Sequence, residues 1–277
     1  HKEYRRQRQM CIRDSYKYED PEYSITQTPL NEQDLKTMSE AVEVLRQFKG
    51  FSYFTEMSDI INRLEDHVAS ARMKTTPVID FEKNESLKGL DYLDTIYHAI
   101  VNEHPIQLKY RSFKARSANS FIFYPYLLKE YRNRWFVYGV RGNGRILQNL
   151  ALDRIQSLEV LPQEHYIKNT FFDPNTFFDD LVGVTKNSGS VAEKVGFKVA
   201  AAEAPYIITK PIHRSQQLVE RLPDGSVILE IEVVINHELE RVFFGYVDGI
   251  EILYPKTLVE LMSRKLEKAA KQYTKSK

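Results

Sequence analysis

Cysteine is almost missing from this chain: Cys11 is the only one in 277 residues. A lone thiol cannot close an internal disulfide, so a reducing, cytoplasmic location is the expectation. Long apolar runs are missing too. None approaches the ~18 residues that span a bilayer, and the opening HKEYRRQRQMCIRDS lacks the apolar stretch of a signal peptide. No membrane partner is expected. Signatures of catalysis are equally scarce, with no G-x-S-x-G, H-E-x-x-H or P-loop string. The histidines, His1, His67, His98, His104, His165, His213 and His237, include no pair at metal-ligand spacing on one helix. Asp179-Asp180 is the nearest thing to a paired-carboxylate site, and a helix cap or solvated face explains it better. No enzyme is indicated, and neither metal nor cofactor is expected.

What remains is an ordinary globular composition, 42% hydrophobic and 28% charged, long enough for two or three domains. Net charge is only +1, but it is unevenly placed. Between His104 and Val160 stand ten Lys/Arg against Glu130, Asp153 and Glu159, a local +7 that leaves −6 for the rest. A basic segment in a nearly neutral chain is the footprint of a polyanionic ligand, or of a plainly solvated Lys/Arg surface. The same segment is rich in rings, among them Tyr110, Phe121, Phe123, Tyr124, Tyr126, Tyr131, Trp135, Phe136 and Tyr138. Beside arginines these can stack nucleobases while the cations hold phosphates. They can equally be the core of a small barrel.

Periodicity divides the chain into five parts. Residues 1–20 show no apolar period and read as disordered or irregular. Residues 21–76 are a helical connector and dimerisation region, with amphipathic helices expected over 31–47 and 52–70. From 77 to 162 a short strand at 78–81 and a helix over 89–103 precede strands at 106–110, 120–129, 134–141, 145–152 and 155–161. Gly142-Asn143-Gly144 is the hairpin signal there, since Gly and Asn tolerate positive φ. One helix and five short strands without crossovers imply a small antiparallel barrel. Residues 163–192 are a linker with a short helix from Asp173-Pro174 to Leu181 and a hinge at 186–190. Residues 193–277 read βαββαβ, the ferredoxin-like order, with a final helix from Pro255 striped by Leu258, Met262, Leu266, Ala269 and Tyr273. His213 falls on the second strand of this part. The fold class is therefore α+β.

The runs Ile106–Tyr110, Tyr124-Pro125-Tyr126-Leu127, Arg134-Trp135-Phe136-Val137-Tyr138-Gly139 and Leu152-Asp153-Arg154-Ile155 together resemble the WYL-domain family. Its Trp-Tyr-Leu triplet is relaxed here to Trp-Phe-Val. His213-Arg214-Ser215-Gln216, Asp224-Gly225, Phe244-Gly245 and Tyr254-Pro255 resemble the extension that follows a WYL domain. The resemblance covers residues 80–274 and implies a bacterial transcription regulator. Such a regulator carries an N-terminal helix-turn-helix, an Sm-like barrel that senses a ligand, and a homodimeric assembly. Single-stranded nucleic acid or a nucleotide is the implied ligand, and duplex DNA the partner of a helix-turn-helix that this chain does not show. The rival expectation is a constitutive Sm-like RNA-binding or scaffold module without regulatory output.

On these grounds the candidate ligand contacts are Tyr110, Arg111, Tyr126, Trp135, Tyr138, Arg141, Arg145, Arg154 and His213. Arg154 is the sharpest of them. Its guanidinium can fork two N–H donors onto phosphate oxygens, or it can brace the barrel by pairing with Asp153 or Glu159. Arg141 and Arg145 flank the Gly-Asn-Gly turn and can converge on one anion or stay solvated. Tyr110, Tyr126 and Trp135 serve either as stacking platforms or as core, and His213 either meets a ligand or fills an interface.

Overall fold

A computed structural model describes residues 8–11, 15–18, 88–142, 144 and 146–274. The chain divides into two units, residues 1–82 and 83–277. The first contains β1 (Arg8–Cys11) and β2 (Ser15–Tyr18), antiparallel, with Arg8 opposite Tyr18 and Cys11 opposite Ser15. This corrects the expectation of an irregular stretch over 1–20. Four-residue strands pair through backbone hydrogen bonds and need no apolar period, so periodicity cannot reveal them. The helices expected at 31–47 and 52–70, and the strand at 78–81, lie outside the described residues.

The second unit opens with a 3-10 turn (Leu90–Tyr92) that runs into α1 (Leu93–Val101). Leu93, Ile96 and Ala99 are its buried side. Tyr97 is exposed, because the buried face follows three-residue steps from Leu93. Five antiparallel strands follow: β3 (Ile106–Tyr110), β4 (Asn119–Tyr131), β5 (Arg134–Arg141), β6 (Leu147–Ala151) and β7 (Ile155–Val160). Their order is β6-β5-β4-β3-β7. On β3, Ile106 and Leu108 point into the core and Lys109 out of it. The ladder between β4 and β5 slips between Pro125 and Leu127. Proline has no N–H to donate, so the bulge falls where the ladder is already interrupted.

The tight hairpin lies at Arg132-Asn133, between β4 and β5. Both residues have positive φ, 50° and 58°, as a two-residue turn of this hand requires. The Gly142 region, read as a hairpin signal, does connect an antiparallel pair: β5 ends at Arg141, β6 begins at Leu147, and Val140 stands opposite Leu147. β6 and β7 are the outer strands, joined by the 3-10 turn Leu152–Arg154. The hydrogen bonding thus defines an antiparallel sheet with two edges.

Residues 174–180 form successive turns rather than the expected helix. Asp173 accepts the Asn175 backbone N–H at 2.9 Å through its own carboxylate, a cap-like bond at the start of these turns.

The remaining elements are β8 (Glu193–Val199), α2 (Ala204–Thr209), β9 (Gln217–Arg221), β10 (Val227–Val233), α3 (His237–Phe244), β11 (Ile250–Tyr254) and α4 (Lys256–Thr274). The strands are antiparallel in the order β11-β8-β10-β9. Strict alternation on β10 sends Val227, Leu229, Ile231 and Val233 to one face. There they meet Val195, Phe197 and Val199 of β8 together with Ile207, Leu239, Phe243, Leu258 and Met262 from the helices. Asn236 caps α3, its side chain accepting the Leu239 N–H at 2.9 Å. α4 packs only through its first half. Ala269 and Tyr273, expected on its buried stripe, are exposed because the helix outruns the sheet. His213 precedes β9 rather than lying on it. No helix among the described residues is long and apolar enough to cross a membrane.

The protein is thus a mixed α/β chain whose second unit carries two antiparallel sheets and few helices.

Candidate functional site

The first sheet and its flanking turns place Arg154 at a junction. A Cβ on Gly89 would come within 2.5 Å of the Leu152 carbonyl, so glycine, here at φ +84°, lets the start of the helical segment sit against the 152–154 turn. The Arg111 backbone N–H donates to the Arg154 carbonyl at 3.1 Å, tying that turn to the end of β3. The Arg154 guanidinium lies over the Phe113 ring, 4.5 Å from its centroid. Phe113 itself is 73% exposed. Tyr110 completes the group: burial pushes its hydroxyl pKa up, while the neighbouring Arg154 charge and hydrogen bonds with Arg154 and the Ala151 backbone pull the other way.

Asp153 does not consume this cation. Its carboxylate stands 3.8 Å from Arg154 Nε but 3.2 Å from Arg134 Nε. Arg154 Nε and Asp153 Oδ1 are both buried without a hydrogen-bond partner among the described residues. A separation of 3.8 Å is too long for a hydrogen bond. The bracing arrangement expected for Arg154 is therefore only a loose ion pair with Asp153, and Arg134 is the closer partner.

The other candidates are placed differently. Arg111 is exposed next to Tyr110. Arg141 is exposed with its guanidinium 4.0 Å from the Phe121 centroid, and Arg145 lies outside the described residues. Trp135 is half-buried on β5 opposite Glu130. Tyr126 is buried, stacked on Phe171 and edge-on to Tyr166, and burial pushes its hydroxyl up to about 12. Tyr138 is buried too, ringed by Phe172, Phe177 and Phe178, and its hydroxyl donates to the Val184 carbonyl. Burial raises its pKa strongly. Residues 166–184 thus supply internal partners to both tyrosines. His213 is buried, its Nδ1 2.7 Å from Ser215 Oγ, and burial followed by the Arg214 charge lowers its pKa.

Tyr110, Arg111 and Arg154 are therefore brought together, whereas Tyr126, Tyr138 and His213 are held in packed surroundings. Two members of the group, Phe113 and Arg134, escaped the sequence reading. Phe113 had a signal: it is a large ring between Arg111 and Lys114, outside the alternation of any strand. Asp179 and Asp180 each have a cation, Arg214 at 2.5 Å and Lys186 at 2.7 Å. Among the described residues no cluster of His, Cys, Asp and Glu could hold a metal ion.

Comparison with known proteins matches two parts of the chain. Residues 91–160 match the WYL domain and residues 192–270 the WCX domain, together more than half of the chain. Similar solved structures include the proteasome accessory factor B/C (PafBC) of Arthrobacter aurescens, at 16% identity and a TM-score of 0.33, covering 84% of this chain and 34% of that one. A crystal structure of a CRISPR Cas-related protein is similar at 13% identity and a TM-score of 0.43, covering 68% of this chain and 52% of that one. The chain thus spans about a third of the first and half of the second. No curated protein matches it. With a WYL domain followed by a WCX domain, the chain belongs to the WYL-domain family.

Proposed function

We propose that this chain is the ligand-sensing part of a bacterial transcription regulator, binding a single-stranded nucleic-acid fragment or nucleotide on its first sheet. In this reading that sheet is an Sm-like barrel over residues 77–162, and residues 193–277 are a ferredoxin-like extension. Ligand occupancy is relayed to a DNA-reading domain in a cytoplasmic homodimer. The observation that supports it best is Arg154. Its side chain, 27% exposed, sits beside the Tyr110 hydroxyl and over the exposed Phe113 ring, with Asp153 turned toward Arg134. A guanidinium next to an open aromatic face suits a nucleotide, one group holding phosphate and the other stacking on a base. The net +7 between residues 104 and 160 supplies the long-range attraction.

The test is a titration of short single-stranded oligonucleotides, followed by fluorescence anisotropy at several salt concentrations. Released counterions make such binding fall steeply with salt. Binding that ignores salt, or no binding at low ionic strength, would count against the reading.

A further inference from the structure

Residues 182–185 are held from both sides. The Val184 carbonyl accepts from the first sheet twice, from the Tyr138 hydroxyl on β5 and from Asn149 Nδ2 on β6, the latter at 2.7 Å. The carbonyls on either side of it turn the other way. Asn236 Nδ2, at the start of α3, donates to the Val182 and Thr185 carbonyls, both at 2.9 Å. Thr185 Oγ1 donates to Glu238 Oε1 at 2.7 Å. Val182 and Val184 are buried, so these bonds are shielded from water.

Two further observations show how closely the segment fits. Gly183 has φ +90°, and a Cβ there would lie 2.5 Å from Glu238 Cγ. Only glycine both adopts that backbone and leaves room for the glutamate. The Glu238 charge is also felt at the first sheet. After burial, its charge is among the influences that raise the Tyr138 and Tyr131 hydroxyl pKa values.

We propose that residues 182–185 are a coupling strap, through which a change on the first sheet is felt at the first turn of α3. Asn236 joins the strap to α3 because one side chain does two jobs. Its Nδ2 grips the strap, while its Oδ1 accepts the Leu239 N–H and caps α3. If the strap shifts, the amide group that follows it moves the cap. Hydrogen bonds from both sides make the strap part of one contiguous network between the first sheet and α3, the kind of physical path that carries coupling between packed elements. In the sensing role proposed above, the strap is the route from the ligand to the second domain. The coupling itself needs no ligand, so it can be tested whether or not that role holds.

The experiment is native-state hydrogen exchange on the whole chain, comparing Tyr138→Phe and Tyr166→Phe. Both remove one hydroxyl at the same sheet. Tyr138 donates to the strap, whereas Tyr166 donates to the Pro125 carbonyl and does not touch it. Tyr138→Phe should speed exchange of the Leu239 and Glu240 amides by about two- to tenfold, the effect of losing one hydrogen bond. Tyr166→Phe should leave them unchanged. Asn149→Ala, which removes the second donor to Val184, should act like Tyr138→Phe. The proposal is overturned if Tyr138→Phe and Asn149→Ala both leave those two amides unchanged. It is equally overturned if Tyr166→Phe accelerates them as much, since that would be general loosening of the sheet.

Discussion

The two sheets of the second unit solve different problems with similar material. In the second, β8 and β10 alternate cleanly, and seven strand residues share one apolar face with the helices. Its outward charges pair locally, Lys194 with Glu230 at 2.7 Å and Lys198 with Asp224 at 3.7 Å. In the first, an exposed Phe113 lies at the rim, and the buried Arg154 Nε has no acceptor among the described residues. The second region pairs these charges locally, although Glu238 Oε2 is buried there without a partner among the described residues. At the first sheet a cation and an exposed ring lie together at the rim, the arrangement on which the proposed ligand contact rests.

The largest contrast should come from phenylalanines, one in each region. Phe197 is fully buried on β8, with its ring 5.3 Å from Phe243. Phe197→Ala should cost about 3–5 kcal/mol in chemical denaturation, through lost transfer energy and the cavity left behind. Phe113→Ala should shift stability by no more than about 0.5 kcal/mol. It should instead weaken oligonucleotide binding by about 1–3 kcal/mol, the worth of one stacked base. Equal stability losses at both positions would erase the distinction between the sheets.

A smaller effect separates them by pH. His213, which belongs to the second region, has its pKa lowered chiefly by burial, so the folded protein favours the neutral ring. The unfolded chain therefore takes up the proton first. The stabilising contribution is complete above the unfolded value near ~6.5 and is lost as pH falls through the folded one. The thermal midpoint should drop on acidification below about pH 6.5, and His213→Gln should flatten part of that dependence. An unchanged pH profile in the variant would remove His213 from this role.

How much of this was legible in the sequence follows from what each feature depends on. The strand over 134–141 coincides with β5, and the alternation from Val227 to Val233 reads directly as β10, because both follow from burial on one face of a strand. The cap at Asn236 was readable for a similar reason: a side-chain oxygen at a helix start is a local device. The turn at Arg132-Asn133 was not, since it uses positive φ without glycine. The stripe on α4 was read too far, because periodicity reports which face is apolar and not where the neighbouring sheet ends. In the candidate site, Tyr110 and Arg154 were visible as residue types in a basic segment. Their convergence with Phe113 and Arg134 depends on the 152–154 turn and on the ladder between β3 and β7, which no local pattern encodes.

The central claim, that Arg154 serves a ligand and does not brace the sheet, is tested most directly by measuring Arg154→Ala in two ways on one preparation. Calorimetric titration with a single-stranded oligonucleotide should show affinity weakened by about 1–3 kcal/mol, the range for a hydrogen bond to a charged group. The thermal midpoint should stay that of the unaltered protein, because the ion pair with Asp153 is loose and Arg134 remains the closer partner. A lowered midpoint with unchanged affinity would contradict the account.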